Sequence, residues 1–408
     1  MAARKTKRRS PGEGGAYPYK TKAGERHRAK GQVRLADGSM KELNKRGFMT
    51  KQAALEWLGD QQAAGRKGEY VDPSKRQLGP YGAEVVDGLR VSPGTKASYR
   101  RTWRLHLEPY PVGRQQLAQV TGLALTSHYR VLEASGRKDR DAGGALSART
   151  VRYLHTIVHR VLAQAVKDGL LLRNAADAAT PPTAREAKAP EMHPWNAAEL
   201  AAFLGWAERS SQYYPLWHTL AMTGMRRGEL LALRWRDVDF DAPAVSVRRS
   251  VGIVRNAGED AAVHEGDTKT GKSRVVDLDD DAAAVLRAWR RDRGSAALQL
   301  ITPDSLVFGD IEGTHRNPEH VTRQFGRDIE RCRKALGAAA PRGIRLHDLR
   351  HSHATILLLA REPVHVVSQR LGHASPVVTM SVYAHVLPGS QREAASTFAQ
   401  LIREARGA

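Results

Sequence analysis

Apolar positions along this 408-residue chain fall into two regimes. From Tyr17 to Phe48 they occur in short strand-like pieces, with turn signals at Ala23-Gly24 and Asp37-Gly38. Thr50 to Leu58 then reads as a helix with Thr50 as its N-cap, so a small sheet packed on one helix is expected. Beyond residue 80 the helical period dominates. Leu154, Ile157, Val158, Val161, Leu162, Ala165 and Val166 follow the i, i+3, i+4, i+7 spacing of a buried stripe. Thr95 to Leu107 is a second helix candidate, and the last helix of this region is expected to end near Asn174. Asn196 begins a further helical region with a capping-box acid at Glu199. Within it, Val245-Ser246-Val247 and Ser273 to Leu278 read as strands, with a Gly-containing hairpin region between them. The pattern predicts a mainly α protein with small β-sheets.

Two stretches interrupt it. Residues 67–80 hold Gly68, Asp72-Pro73-Ser74 and Gly79-Pro80, and residues 179–194 hold Pro181-Pro182, Pro190 and His193-Pro194. Both read as linkers. They divide the chain into residues 1–66, 81–178 and 195–408. No internal repeat or long low-complexity tract is evident.

Charge adds a partner to this picture. Lys and Arg number 65 against 43 Asp and Glu, a formal net charge of +22. Residues 1–50 hold 14 Lys/Arg against 4 Asp/Glu, so nearly half of the excess sits in an eighth of the chain. Such an excess points to a polyanion, most simply nucleic acid, and its concentration points to a separate gripping module. The alternative is a basic ribosomal or membrane-surface protein. Residues 1–15 read as a basic arm. Lys20, Arg26, Arg28, Lys30 and Arg34 lie on the predicted strands. Lys96, Arg100, Arg101 and Arg104 lie on the Thr95 helix, facing either a phosphate backbone or plain solvent. No apolar run approaches the ~20 residues of a membrane span, and the N-terminus lacks the apolar core of a secretory signal. The single cysteine, Cys332, excludes an internal disulfide, so a cytoplasmic protein is expected.

Candidate chemistry is spread over four segments. Thr223-Gly224-Met225-Arg226 is a glycine turn leading into a helix, which places Arg226 where anions are favoured. Glu229, three residues on, shares its face and can orient the guanidinium. In Asp267-Thr268-Lys269-Thr270-Gly271-Lys272, a lysine on a hairpin tip can give a proton to a leaving oxygen. Lys269 is the candidate and Lys272 its competitor. In His347-Asp348-Leu349-Arg350-His351, i, i+3 spacing puts His347 and Arg350 on one face. His347 and His351 also have an i, i+4 metal-ligand spacing, but no third ligand is near, so no metal or other cofactor is expected. His351 and His353 read as packing or hydrogen-bonding residues. Last come Leu371-Gly372-His373 and Tyr383. A tyrosine hydroxyl titrates near pH 10 (roughly) and needs a basic neighbour and a cationic pocket to attack a phosphate.

This ordered set of Arg226, Lys269, His347, Arg350, His373 and Tyr383 resembles the catalytic domain of the tyrosine recombinases, the phage integrase family. Residues 81–178 resemble the family's helical, SAM-like core-binding domain, and residues 16–65 its arm-type DNA-binding domain. Thr268 stands where the family often has proline, which leaves Lys269 against Lys272 open. The resemblance implies a mixed, mostly α catalytic domain over 195–408 with a C-terminal tail. It implies that Tyr383 forms a 3′-phosphotyrosine and releases a 5′-hydroxyl. Arg226 and Arg350 would clamp the nonbridging oxygens, His373 would add a hydrogen bond, Lys269 would protonate the 5′-oxygen, and His347 would accept or position the tyrosine proton. Neither ATP nor Mg²⁺ would be needed. The expected partners are double-stranded DNA attachment sites, three further copies in a homotetramer on DNA, an accessory excision factor and a host DNA-bending protein, all in the bacterial cytoplasm. The reading is a site-specific integrase of a phage or mobile element. Its alternatives are another tyrosine enzyme (a Xer-like resolvase, a transposon recombinase or a type IB topoisomerase) and a catalytically inactive DNA-binding relative. The basic N-terminal module favours an integrase.

Overall fold

The computed structural model describes residues 14–407 apart from 23, 36–37, 69, 72–74, 137–143, 189–190, 256–260, 269–270, 272 and 384–389. Most of the basic arm, the turn residues Ala23 and Asp37, and both candidate lysines, Lys269 and Lys272, lie outside the described residues. The chain divides into two compact units, with the boundary between residues 189 and 190.

In the first unit, β1 (Gly15–Thr21), β2 (Gly24–Arg34) and β3 (Met40–Phe48) form an antiparallel sheet in that order. Helix α1 (Lys51–Arg66) starts at Thr50, whose side chain accepts from the Ala53 amide at 3.1 Å. Alternation along β2 buries Ala29, Gly31 and Val33, and Ala29 and Val33 share a core with Ala54 and Leu58 of α1. Gly31 lies so close to Leu58 that a Cβ would meet its side chain at 2.8 Å.

Four helices build a separate helical core: α2 (Leu78–Gly88), α3 (Pro93–His106), α4 (Gly122–Ser135) and α5 (Ala148–Lys167). The stripe on α5 is buried as its spacing predicts. Two expectations are corrected. Residues 67–80 are not all linker, because α2 begins at Leu78 with Leu78, Gly79 and Tyr81 buried. Pro80 sits in the first turn, where its missing N–H costs nothing, and Gly79 lies where a Cβ would meet the Gly113 carbonyl at 2.9 Å. The Gly-Pro pair is thus a helix start, not a breaker. The last helix does not reach Asn174. It closes at Asp168-Gly169, where Gly169 takes φ 68°, and only a short 3₁₀ turn (Ala175–Ala178) follows.

The second unit contains α6 (Ala197–Ser210), α7 (Tyr214–Thr223) and α8 (Arg227–Leu231), then β4 (Val238–Asp239), β5 (Ala244–Val247), β6 (Arg249–Val254), β7 (Ala262–Asp267) and β8 (Arg274–Asp277). Helices α9 (Asp280–Ala296), α10 (Pro318–Leu336), α11 (Asp348–Leu359), α12 (Val364–Leu371), α13 (Pro376–Tyr383) and α14 (Ser390–Gly407) complete it. β4, β5 and β8 form one small antiparallel sheet, and β6 and β7 pair as a hairpin between its strands. The capping box at Asn196 and Glu199 forms as expected. The core is aromatic, with Trp195, Trp217, Phe203 and Phe325 packed together. Buried Asp328 is satisfied within it by Trp217 Nε1 at 3.0 Å and the Ser211 hydroxyl. A smaller cluster joins α11 to the end of the chain through Ala354, Leu358, Val367, Leu371 and Tyr383. Among the described residues no helix is long and apolar enough to cross a membrane.

Candidate active site

The site is built where the ends of α7 and α8, strand β8, the start of α11 and the α12–α13 turn meet, with arginines from α8, β8 and α11 gathered near one carboxylate. Helix α7 ends at Gly224 in the left-handed region, φ 62°. A Cβ there would meet the His353 ring at 2.7 Å. Reversal at Gly224 sets Arg226 as the cap of α8. Glu229, 2% exposed, accepts from the Arg226 Nη1 at 2.7 Å and from the Arg226 amide at 2.9 Å. Its other face accepts from Arg274 Nη2 at 2.7 Å. Burial pushes the Glu229 carboxyl up, but Arg274 and Arg226 outweigh it and hold the group below the usual carboxylate range.

Arg350 lies on the first turn of α11 and is 3% exposed. Its Nη1 donates to the Gly224 carbonyl at 2.7 Å, while its Nη2 is buried without a hydrogen-bond partner. Burial, then Arg226, push its pKa down to about 9, which still leaves it charged at neutral pH. Two guanidiniums therefore hold one carboxylate, a third lies within its electrostatic reach, and a buried N–H of that third points at no acceptor. A buried unpartnered donor is costly, and a phosphate oxygen is the acceptor such a fork fits.

The histidines are uncharged at neutral pH. His373 follows Gly372, which takes φ 68° and approaches Arg274 so closely that a Cβ would meet its guanidinium arm at 2.8 Å. The His373 Nδ1 lies 2.8 Å from the Thr379 hydroxyl. Burial and then Arg350 and Arg226 push His373 down to about 4. His347 caps α11 and is exposed, yet desolvation in the cleft wall, with His351 and Arg350, pushes it down to about 4 as well.

Tyr383 closes α13 and is 2% exposed. Burial raises its hydroxyl to about 12 against the opposing pull of Arg350. Its hydrogen-bond partner is His351 Nδ1, at 2.7 Å, and not His347. The structure thus gathers Arg226, Glu229, His347, Arg350, His373 and Tyr383 into one region, as the sequence pattern suggests. It also adds Arg274 and His351. Nothing in the sequence marks Arg274 beyond its place in the predicted strand from Ser273 to Leu278, and His351 reads there as a packing or hydrogen-bonding residue. His353 does pack: its Nδ1 meets the Ala221 carbonyl at 2.9 Å, and its Nε2 accepts from Arg370 at 3.1 Å. Among the described residues no group of three or more His, Cys, Asp or Glu could hold a metal ion.

The surface cations divide. Arg26, Arg28, Lys30 and Arg34 share one face of β2, opposite the α1 side, with Tyr17 and Tyr19 of β1 beside them. Lys20 pairs with Glu25 and falls on the other parity. On α3, Arg101 and Arg104 are exposed. Lys96 donates to the Asp87 carbonyl at 2.9 Å and Arg100 pairs with the Asp87 carboxylate, so part of that charge is spent within the fold.

Comparison with known proteins makes this chain a tyrosine-type site-specific DNA recombinase, and the buried cation cluster beside a tyrosine fits that class. Residues 195–389 match the Phage integrase family, and the chain carries that family's domain. It is 27% identical over 263 residues to the ICEBs1 integrase of Bacillus subtilis, covering 63% of this chain and 67% of that protein. A tyrosine recombinase XerC-like protein of Caldanaerobacter subterraneus is 24% identical over 78% of this chain and 80% of its own length. The integrase of Staphylococcus phage L54a is 29% identical over 45% of this chain and 50% of its own. Among solved structures, the Tn1549 transposon integrase in complex with transposon right end DNA superposes with TM-score 0.65 at 20% identity, over 79% of this chain and 100% of that one. A lambda integrase tetramer bound to a Holliday junction does so with TM-score 0.55 at 15% identity, over 90% and 94%.

Proposed function

We propose that this chain is a site-specific integrase that cleaves and rejoins DNA through Tyr383 on behalf of a phage or mobile element. The observation that carries the reading is the Arg226–Glu229–Arg274 cluster with the unpartnered Nη2 of Arg350, set beside a tyrosine that has a base at hydrogen-bond distance. Arg226 and Arg350 hold the nonbridging oxygens of a scissile phosphodiester, where charge grows in the transition state. His373 donates a further hydrogen bond, His347 accepts or positions the tyrosine proton, and Lys269 protonates the departing 5′-oxygen. The product is a 3′-phosphotyrosine and a free 5′-hydroxyl, and a 5′-hydroxyl from a partner strand reverses the step.

The domain division at 1–66, 78–178 (its start moved from 81 to the start of α2) and 195–408 assigns arm-site binding to the β2 face, core-site binding to the helical segment and chemistry to the last segment. Double-stranded attachment sites are the substrate, with the bacterial cytoplasm as the setting. The lambda integrase tetramer on a Holliday junction supports a homotetramer on DNA. Helix α14 fits that assembly, because Phe398, Leu401 and Ile402 leave an apolar stripe exposed at i, i+3, i+4 spacing. An accessory excision factor and a host DNA-bending protein would set direction. The XerC-like relative favours a second reading, a resolvase, which requires no arm-binding module.

The test uses nicked duplexes tiled across the DNA that flanks the chain's own gene. A covalent protein–DNA adduct is expected with one of them and is expected to vanish with Tyr383→Phe. No adduct anywhere, or an adduct that survives the substitution, overturns the reading.

A further inference from the structure

Strand pairing in the second unit is offset where the two candidate lysines fall. Val247 pairs with Arg274 and Arg249 pairs with Asp267, so Arg248 alone faces everything between Asp267 and Arg274. β5 with β8, and β6 with β7, are thus two halves of one long hairpin. Residues 268–273 interrupt its returning strand, and they are not its tip, as the sequence suggests. Thr268 is buried, and its carbonyl accepts from the Gly271 amide at 2.8 Å with Gly271 at φ 66°, so the chain turns directly after Asp267. Bulges re-aim side chains beside active sites. Without ladder bonds of its own, such an interruption takes its aim from its two feet.

Each foot is tied down by charge. At the β8 foot, Arg274 donates Nη2 to Glu229 at 2.7 Å and Nε to the Arg370 carbonyl at 3.0 Å. At the β7 foot stands Glu265, on the same side of the strand as Asp267. Glu265 accepts from His315 Nε2 at 2.7 Å and from Arg234 Nη2 at 3.1 Å, and Arg249 Nε lies 3.6 Å away. The three cations come from three elements. Arg234 caps the 3₁₀ turn after α8, Arg249 opens β6, and His315 lies just before α10. Arg234 also donates Nη1 to the Asp304 carbonyl at 2.8 Å, and Arg249 grips the buried Asp237. Burial pushes the Glu265 carboxyl up, but the hydrogen bond from His315 and the charge of Arg234 outweigh it and hold the group below the usual carboxylate range.

We propose that Glu265 is a positioning residue for the general acid. Gripped by Arg234, Arg249 and His315, it fixes the β7 foot so that the lysine carried by residues 268–273 meets the leaving 5′-oxygen. The proposal rests on the reading of Tyr383 and of a lysine acid given above. The ladder from Ala262 to Asp267 already holds β7 to β6, so the cluster is not needed to keep the strand paired. What the ladder leaves free is the tilt of the hairpin against α8 and α10. Arg234 and His315 cross-link that tilt at the inner end, and Arg255 pairs with Glu319 of α10 farther out. Apolar contact is non-directional, whereas a guanidinium fork on a carboxylate fixes an angle.

In the step it serves, Tyr383 gives up its proton as assigned above and its oxygen bonds to phosphorus. The P–O5′ bond breaks, and a lysine N–H proton passes to the departing oxygen. Glu265 touches none of these atoms and acts through the lysine alone. Misplacing such a group by about 1 Å costs about 10²-fold in rate.

The experiment compares single-turnover adduct formation by the full chain on two nicked duplexes of the sequence that reacts with wild type. One carries the ordinary 5′-oxygen at the scissile bond, the other a bridging 5′-sulfur. Thiols titrate near 8.5 (roughly), far below an alcohol, so a thiolate leaves without a proton and the sulfur duplex needs no acid. Glu265→Gln keeps the shape and removes the charge. It is expected to be about 10–10²-fold slower than wild type on oxygen and within about threefold on sulfur. His315→Ala trims one of the three cations and should lose less on oxygen, with the same recovery on sulfur. Should Glu265→Gln not fold, His315→Ala carries the same comparison. Lys269→Ala and Lys272→Ala run alongside, and the one that recovers on sulfur is the acid. Adding Glu265→Gln to that lysine variant should slow it no further on oxygen. A Glu265→Gln equally slow on both duplexes marks a structural role and overturns the proposal. So does a wild-type rate on oxygen, a further loss in the double variant, or recovery of neither lysine variant. An adduct formed by Tyr383→Phe would strike the nucleophile reading instead. Its loss there, beside a Glu265→Gln slow on both duplexes, sinks this proposal alone.

Discussion

A single carboxylate organises the cation cluster. Glu229 is buried and divides its two oxygens between Arg226 and Arg274. Removing its charge leaves two guanidiniums facing each other and Arg350 with no counter-ion. Breaking one partner of such a buried pair costs about 3–5 kcal/mol. Glu229→Gln should therefore lower stability by about that amount in urea unfolding and slow adduct formation at least tenfold (roughly, for one misplaced charge clamp). Unchanged stability and rate would show that the cluster does not depend on it. Glu229 could be read from sequence, because i, i+3 spacing on a helix start is a local rule. Arg274 and His351 could not. Their partners lie 45 and 32 positions away along the chain, and only the closure of β8 on α8, and of α13 on α11, brings those groups together.

Elements with strong local signals were readable in advance, and elements fixed by tertiary contact were not. The stripe on α5, the Thr50 cap and the Asn196 capping box need only neighbours in sequence. The start of α2 was hidden because a Gly-Pro pair reads as a breaker. What overrides it is close packing, with Gly82 pressed against the Trp103 indole so that a Cβ would lie 1.9 Å from it. Gly82→Ala should thus disrupt the helical core as severely as Leu154→Ala, which costs about 2–5 kcal/mol for a buried leucine. Thermal unfolding of the two variants checks this, and a mild Gly82→Ala would mean that α2 can move aside. Helix α14 follows the opposite logic, since its apolar stripe has no cover. Deleting residues 391–408 should weaken multimer formation on DNA, read by native gel, while cleavage by a single bound copy persists. Unaltered assembly would remove α14 from the interface.

At the scale of the whole chain, charge governs grip and buried histidine governs acid tolerance. The grip should be steeply salt-dependent, and deleting residues 1–66 should flatten the slope of log affinity against log salt, because phosphate contacts made by the β2 face are lost. The acid behaviour follows from desolvation, which acts on the buried and half-buried rings and on exposed His347 in the cleft wall. His128, His155, His218, His347, His351, His353 and His373 all have pKa values below 6.5, with desolvation as the leading cause for each. His353, pushed down to about 4, is locked neutral between a carbonyl that needs its proton and an arginine that needs its lone pair. On unfolding, each ring regains an ordinary affinity for protons, so between pH 6.5 and about 4 the unfolded chain binds more of them. Stability must then be full above pH 6.5 and decline as pH falls toward 4, with all seven groups acting in the same direction. The melting temperature should accordingly hold steady from pH 8 to about 7 and drop progressively below 6.5. His353→Gln, which keeps polar contacts but cannot charge, should start less stable at pH 7.5 and lose less between pH 7.5 and 5. An equal or larger loss in that variant would show that acid unfolding is driven from elsewhere than the α7–α11 contact.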